Sequence, residues 1–165
     1  SMVGYIVGLG DRHAENILIN KKTGGCVHVD FNCIFDKAKT LPVPECVPFR
    51  LTQNIVDGMG ALGTNGNFSA SCRLVIEILR TKRQKLISIL QSLVHDPLLE
   101  WRKTNKETTV ITAKMTIKEI ERRLTGFSED RSTILSPNSV VKELIKQARD
   151  PDNLALMFYG WQPYY

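Results

Sequence analysis

At 165 residues, with 42% hydrophobic and 24% charged positions, the chain has the size of one ordinary domain or a domain with a small appendage, and wholesale disorder is excluded. The apolar stretch Met2–Leu9 is interrupted by Gly4 and Gly8 and is far too short to cross a bilayer. It also lacks the basic flank and small-residue cleavage site of a signal peptide. The net charge of +5 is spread along the chain, with its largest local excess, eight basic against five acidic residues, in 101–133. A nucleic-acid module concentrates such an excess on one face, so a solvated surface is expected here.

The four cysteines, Cys26, Cys33, Cys46 and Cys72, include no C-x-x-C pair, and no His stands at a zinc-finger interval. Free thiols in a reducing compartment and no structural metal are expected.

In chain order, Ser1–Leu9 reads as the end of an apolar helix with no capping signal before it. The fold is therefore expected to begin upstream of Ser1. Gly8-Leu9-Gly10-Asp11 breaks the helix. Asn16–Asn20 and Cys26–Val29 read as short strands joined by the turn residues Lys21–Gly25, an antiparallel hairpin. Pro42, Pro44 and Pro48 exclude a helix or central strand in the irregular stretch 31–48, and a loop this long is usually functional. A short helix is expected over Leu51–Met59, then turns to Asn67.

Ser69–Leu79 reads as a helix with Leu74 and Ile78 on its apolar face. A second, Thr81–Val94, carries Leu86, Ile89, Leu90 and Leu93, and Asp96-Pro97 stops it. Residues 102–111 read as a polar, β-branched loop. Ala113, Ile117, Ile120 and Leu124 mark a helix closed by Gly126. Ser136-Pro137 and Asp150-Pro151 are two N-cap and N1 signals. They start a helix with Val140, Val141, Leu144, Ile145 and Ala148 inward, and a last one running to about Phe158.

Three polar residues stand around the hairpin. Asp11 and Asn16 are five positions apart before its first strand, and Asp30 follows its second. Alone, each reads as a turn or strand-end residue. Together they match a phosphoryl-transfer site, in which a loop Asp accepts a hydroxyl proton and an Asn and a second Asp hold Mg2+ through hard oxygens. His13 is placed to bond the γ-phosphate or to share in proton handling.

The order Asp11-Arg12-His13, within Gly8-Leu-Gly-Asp-Arg-His-Ala-Glu-Asn16, reverses the usual kinase His-Arg-Asp. Asp30-Phe31-Asn32 stands where most kinases have Asp-Phe-Gly. Val43–Thr52, with Pro48, Phe49 and Arg50, looks like the end of an activation loop. Ile134–Tyr165, ending Gly160-Trp161-Gln-Pro-Tyr164-Tyr165, resembles a FATC domain. The whole chain thus resembles the phosphatidylinositol 3-kinase-related protein kinases, and within them the DNA-damage checkpoint branch. The nonsense-mediated-decay kinase of the family is the alternative, with His13 against it.

The resemblance implies a mainly α fold with a small β-hairpin. Residues 1–101 would form a kinase C-lobe, with catalytic loop 8–16, activation loop 30–52 and helices over 66–95. Residues 102–133 would be a regulatory segment, and 134–165 a helical FATC. It implies catalytic roles for Asp11 and His13 and metal ligation by Asn16 and Asp30. Phe31, Asn32, Pro48, Phe49 and Arg50 fall in the activation loop, Arg50 as its anchor, and Trp161 and Tyr164 among FATC contacts with the lobe.

It further implies ATP and Mg2+, with Mn2+ as an alternative ion, protein substrates bearing Ser/Thr-Gln sites, a regulatory subunit of the ATRIP type bound through a larger chain, and nuclear location. No nucleic-acid or membrane contact is expected from this segment. The sequence contains no Val-Ala-Ile-Lys strand, and its one G-x-G-x-x-G string, Gly58–Gly63, lies in the turn-rich stretch well after the hairpin, where it is not expected to grip ATP. The isolated chain is therefore expected to be inactive, and an interaction module working through its tail is the competing class.

Overall fold

The first helix, α1 (Met2–Val7), ends where Gly8 takes the left-handed conformation, φ 65°, and the turn returns N–H groups to the Gly4 and Tyr5 carbonyls. A side chain at Gly8 would also collide with the Asp36 backbone, 2.6 Å away. The computed structural model describes residues 1–93, 106–128 and 132–163. Strands β1 (Ile17–Ile19) and β2 (Cys26–His28) pair antiparallel with Leu18 opposite Val27. Asn20 organises the hairpin turn: its Oδ1 accepts from the Lys22 and Thr23 amides, and Gly24 adopts φ 69°. The stretch 31–48 is irregular as expected, apart from a 3₁₀ turn at Lys37–Thr40.

The helices that follow are α2 (Gln53–Gly58), α3 (Asn67–Thr81), α4 (Arg83–Leu93), α5 (Lys106–Thr125), α6 (Pro137–Arg149) and α7 (Pro151–Ala155). α3 lies against α6, α4 against α5, and α1 against both α3 and α5. One apolar core joins Met2 and Ile6 of α1, Phe49 and Leu51, Cys72 and Ile76 of α3, Ile120 and Leu124 of α5, and Val141, Leu144 and Ala148 of α6. A smaller cluster of Val47, Leu154, Met157 and Trp161 docks the C-terminal turn on the irregular stretch 31–48. No described helix is long and apolar enough to cross a membrane. All four cysteines are free thiols, Cys33 and Cys72 buried, Cys26 and Cys46 exposed.

Four expectations need correction. In α3, Leu74 and Ile78 are exposed at 55% and 52%, and the inward stripe is Cys72–Ile76, flanked by Phe68, Val75 and Leu79. The helix has two apolar stripes, and periodicity cannot say which faces the core. In α4, Ile87 is the buried residue while Ile89 is exposed.

Residues 106–111, read as loop, belong to α5. Each residue added to a helix already formed gains a backbone hydrogen bond, which outweighs the weak local preference that suggests a loop. The last helix ends at Ala155, three residues short of Phe158. The chain tightens there so that Met157 reaches Val47, and a 3₁₀ turn at Tyr159–Trp161 follows. His95, the Asp96-Pro97 stop, residues 102–105, Tyr164 and Tyr165 lie outside the described residues.

Candidate active site

The loop between α1 and β1 is organised by Arg12, only 3% exposed. Its Nε donates to the Gly10 carbonyl at 2.8 Å. Its Nη1 reaches the Asn16 and Val29 carbonyls at 3.4 and 2.8 Å, and its Nη2 donates to the Asp30 carbonyl. One guanidinium therefore ties the Asp11–Asn16 loop to the end of the hairpin. Asn16 is buried, and its Nδ2 donates to the Asp11 carbonyl at 2.7 Å. The Val29 amide closes onto the Asn16 carbonyl at 3.1 Å. Hairpin and loop thus bring together Asp11, Asn16 and Asp30, which are far from contiguous in sequence.

Asp11 and Asp30 both occupy the left-handed region, at φ 58° and 55°. That conformation costs roughly 1–2 kcal/mol for an L-residue, with Asp tolerating it better than most because its short side chain bonds locally. Such strain clusters at functional sites. Asp30 makes the local bond, Oδ1 accepting from the Asn32 amide at 3.0 Å. Asp11 is instead held from both sides: its carbonyl by Asn16, its amide by Glu45 Oε1 at 2.9 Å. His13 Nε2 stands 3.8 Å from Asp11 Oδ1, while Nδ1 accepts from the Glu15 amide and caps the 3₁₀ turn Ala14–Asn16. Asn16 and Asp30 offer an amide oxygen and a carboxylate. These are hard donors of the kind Mg2+ takes from protein while keeping water and phosphate oxygens.

Phe31 and Asn32 are exposed, and the Asn32 carbonyl accepts from Lys37 Nζ at 3.2 Å. Phe49 is buried edge-on to Phe68, ring centroids 6.4 Å apart, with half-buried Pro48 beside it. Arg50 is buried and donates to the Trp161 carbonyl at 2.7 Å and the Pro163 carbonyl at 3.3 Å. Its guanidinium lies 5.4 Å from the Trp161 ring centroid. Trp161 is 2% exposed, whereas Phe158 and Tyr159 are solvent-facing.

Four residues around the site were not singled out from the sequence. Arg12 was quoted only as part of a motif, and its partners are backbone carbonyls, which leave no sequence signature. Glu45 bridges Asp11 to the indole of Trp161, whose Nε1 donates to Oε1 at 3.1 Å. Burial pushes its carboxyl up, and the two hydrogen bonds only partly oppose this.

Asp36, at φ 59°, is gripped by Arg123 of α5, whose Nη2 lies 2.7 Å from both carboxylate oxygens. Burial pushes the Asp36 carboxyl upward, but the bonds and charge of Arg123, with Lys39, outweigh it and hold it below its ordinary value. Arg123 also donates to the Tyr5 carbonyl and lies over the Tyr5 ring. A signal for it existed: Arg123 falls between Ile120 and Leu124, on the buried stripe of its helix.

The fold is that of a kinase C-lobe with an appended helical tail. A profile for phosphatidylinositol 3- and 4-kinase matches residues 1–103, and one for the FATC domain matches 134–165. The chain belongs to the phosphatidylinositol 3- and 4-kinase family, in the group of related protein kinases that end in a FATC domain.

It is 46% identical over 169 residues to the serine/threonine-protein kinase ATR of Arabidopsis thaliana, matching all of this chain and 6% of that protein. It is 44% identical over 167 residues to the protein kinase rad3 of Schizosaccharomyces pombe (strain 972 / ATCC 24843), matching all of this chain and 7% of that one. Among solved structures, the FAT and kinase domain of CtTel1 superposes with a TM-score of 0.87 at 40% identity, over 99% of this chain and 11% of that one. The chain thus spans less than a tenth of the length of these two curated relatives.

Proposed function

We propose that this chain is the C-terminal catalytic part of an ATR-like Ser/Thr protein kinase of the DNA-damage and replication-stress checkpoint. It moves the γ-phosphoryl group of ATP to Ser or Thr followed by Gln. Support comes above all from Arg12, whose guanidinium fastens the Asn16 and Asp30 backbones to the loop that presents Asp11. The likeness to the Arabidopsis ATR and fission-yeast rad3 kinases supports the checkpoint assignment. Residues 1–101 act as the C-lobe, 102–133 as the regulatory segment and 134–165 as the FATC. The regulatory subunit of the ATRIP type and the nuclear location belong to the larger chain.

Asp11 orients the substrate hydroxyl and accepts its proton as the oxygen bonds the γ-phosphorus and the bond to the leaving ADP oxygen breaks. His13, whose Nε2 stands 3.8 Å from Asp11 Oδ1, would bond a γ-phosphate oxygen or share in proton handling. Asn16 and Asp30 would hold Mg2+, which when bound would neutralise the charge spread over the phosphates. Arg50, tied to the Trp161 and Pro163 carbonyls, anchors the activation loop rather than touching ATP.

The test is phosphorylation of a Ser-Gln peptide by the full-length kinase. Asp11→Ala and Asp30→Ala each lower turnover by about 10²–10⁴-fold while the protein remains folded by circular dichroism. Turnover at the parent rate in either variant overturns the assignment.

A further inference from the structure

We propose that Glu45 is a positioning residue of the phosphoryl-transfer site, its carboxylate coupling the Trp161 turn of the C-terminal segment to the backbone of Asp11. The proposal rests on the kinase reading of Asp11. A single oxygen, Glu45 Oε1, accepts both the Asp11 amide at 2.9 Å and the Trp161 indole N–H at 3.1 Å. These partners lie 34 and 116 positions away in the chain.

Three features indicate that this bridge serves position. First, Asp11 adopts a left-handed backbone that it does not hold by a bond of its own side chain to a neighbouring amide, as Asp30 does. Its peptide groups are clamped from outside, the carbonyl by Asn16 and the amide by Glu45. The direction of its carboxyl follows from that clamp.

Second, the far end of the bridge is rigid. The Trp161 ring is buried against Val47, Leu154 and Met157, its carbonyl accepts from Arg50 at 2.7 Å, and its face meets the Arg50 guanidinium. The indole N–H is thus a fixed donor, and Glu45 transmits its position to the catalytic loop.

Third, space is reserved for the carboxylate. A Cβ at position 10 would lie 2.1 Å from the Ala38 Cβ and 2.8 Å from Glu45 Oε2, so the glycine that Ala38 demands before Asp11 also leaves the carboxylate its place. A half-buried carboxylate answered by two neutral N–H donors gives up part of its hydration for those two bonds. Both bonds fall on one oxygen, so the carboxylate ties the loop that presents Asp11 to the Trp161 turn.

The experiment measures kcat and KM of the full-length kinase on a Ser-Gln peptide. The variants are Glu45→Ala, Glu45→Gln, Trp161→Phe, Glu45→Ala with Trp161→Phe, and Asp11→Ala. Glu45→Ala is expected to lower kcat by about 10-fold or more with both KM values within about threefold, because misorientation acts on the chemical step. Glu45→Gln keeps the accepting oxygen and retains at least about a third of kcat. Trp161→Phe keeps the ring but loses the N–H, and lowers kcat by about 3- to 10-fold.

The double variant is no slower than Glu45→Ala, since Trp161 acts through Glu45. A kcat within twofold of the parent in Glu45→Ala overturns the proposal, and so does a double variant with multiplied losses. If Glu45→Ala does not fold, a parent-like kcat in Trp161→Phe overturns it equally. Asp11→Ala separates the two levels. Inactive Asp11→Ala beside fully active Glu45→Ala sinks this proposal alone, whereas active Asp11→Ala sinks the kinase reading and this one with it.

Discussion

Replacing Arg123 with Ala should loosen the irregular stretch 31–48 from α5 by an amount the structure allows to be worked out. Arg123 has a side chain 4% exposed and binds both oxygens of Asp36, whose side chain is 25% exposed. Removing one partner of a buried ion pair costs about 3–5 kcal/mol, because a charge is left without an answer. The partial exposure of Asp36, and its second contact with Lys39 at 3.2 Å, reduce this to about 2–3 kcal/mol. At about 1.4 kcal/mol per factor of ten, that is a fall of roughly 30- to 150-fold in the local closing equilibrium.

Hydrogen exchange read by mass spectrometry on the full-length kinase reports it at the Phe35 and Asp36 amides, which bond the Val7 and Gly8 carbonyls at 3.1 and 2.9 Å. The expected result is a loss of protection of that size in peptides covering 33–38, with α6 unchanged. Arg123→Lys should fall between, since an ammonium cannot form the paired contact. Protection within twofold of the parent in Arg123→Ala would refute the reasoning.

Three further outcomes follow from the same geometry. Gly10→Ala drives a methyl into Ala38 and should lower kcat by about 10²-fold, with partial recovery when Ala38→Gly is added; a parent-like kcat in the single variant contradicts this. Because the Asp36 carboxyl titrates below its ordinary value of 3.8 in the folded chain, its contribution is complete above that value and is lost as pH falls through the lower, folded one. Exchange protection at Phe35 should therefore decline in acid below about pH 4, and Asp36→Asn should remove that dependence. Ser136 caps α6 by accepting the Ser139 amide at 3.1 Å, so Ser136→Ala should weaken protection at the start of α6 by about 1 kcal/mol, read by the same method.

What could be read from the sequence was whatever local chemistry decides. The hairpin follows from its turn residues, α6 and α7 from Ser136-Pro137 and Asp150-Pro151, and the irregular stretch 31–48 from its prolines. The grouping of Asp11, Asn16 and Asp30 was legible because a hairpin returns the chain to where it began. The inward face of α3 was not, since Leu74–Ile78 and Cys72–Ile76 are both apolar and tertiary packing alone chooses between them. Nor were the long-range clamps: Glu45 finds Trp161 across 116 positions, and Arg123 finds Asp36 across 87. Pattern within one element says nothing of a partner in another. Arg123 betrayed itself only as a charge on an apolar stripe, and Glu45 only as a charge among prolines.

The central claim is that Asp11 handles the hydroxyl proton while Asp30, with Asn16, would hold the metal that supplies charge neutralisation to the phosphates. Calorimetric titration of Mg2+–ATP into full-length Asp11→Ala and Asp30→Ala separates these roles directly. The account predicts parent-like affinity in Asp11→Ala, within about threefold, and at least about tenfold weaker binding in Asp30→Ala. Parent-like affinity in Asp30→Ala would contradict it.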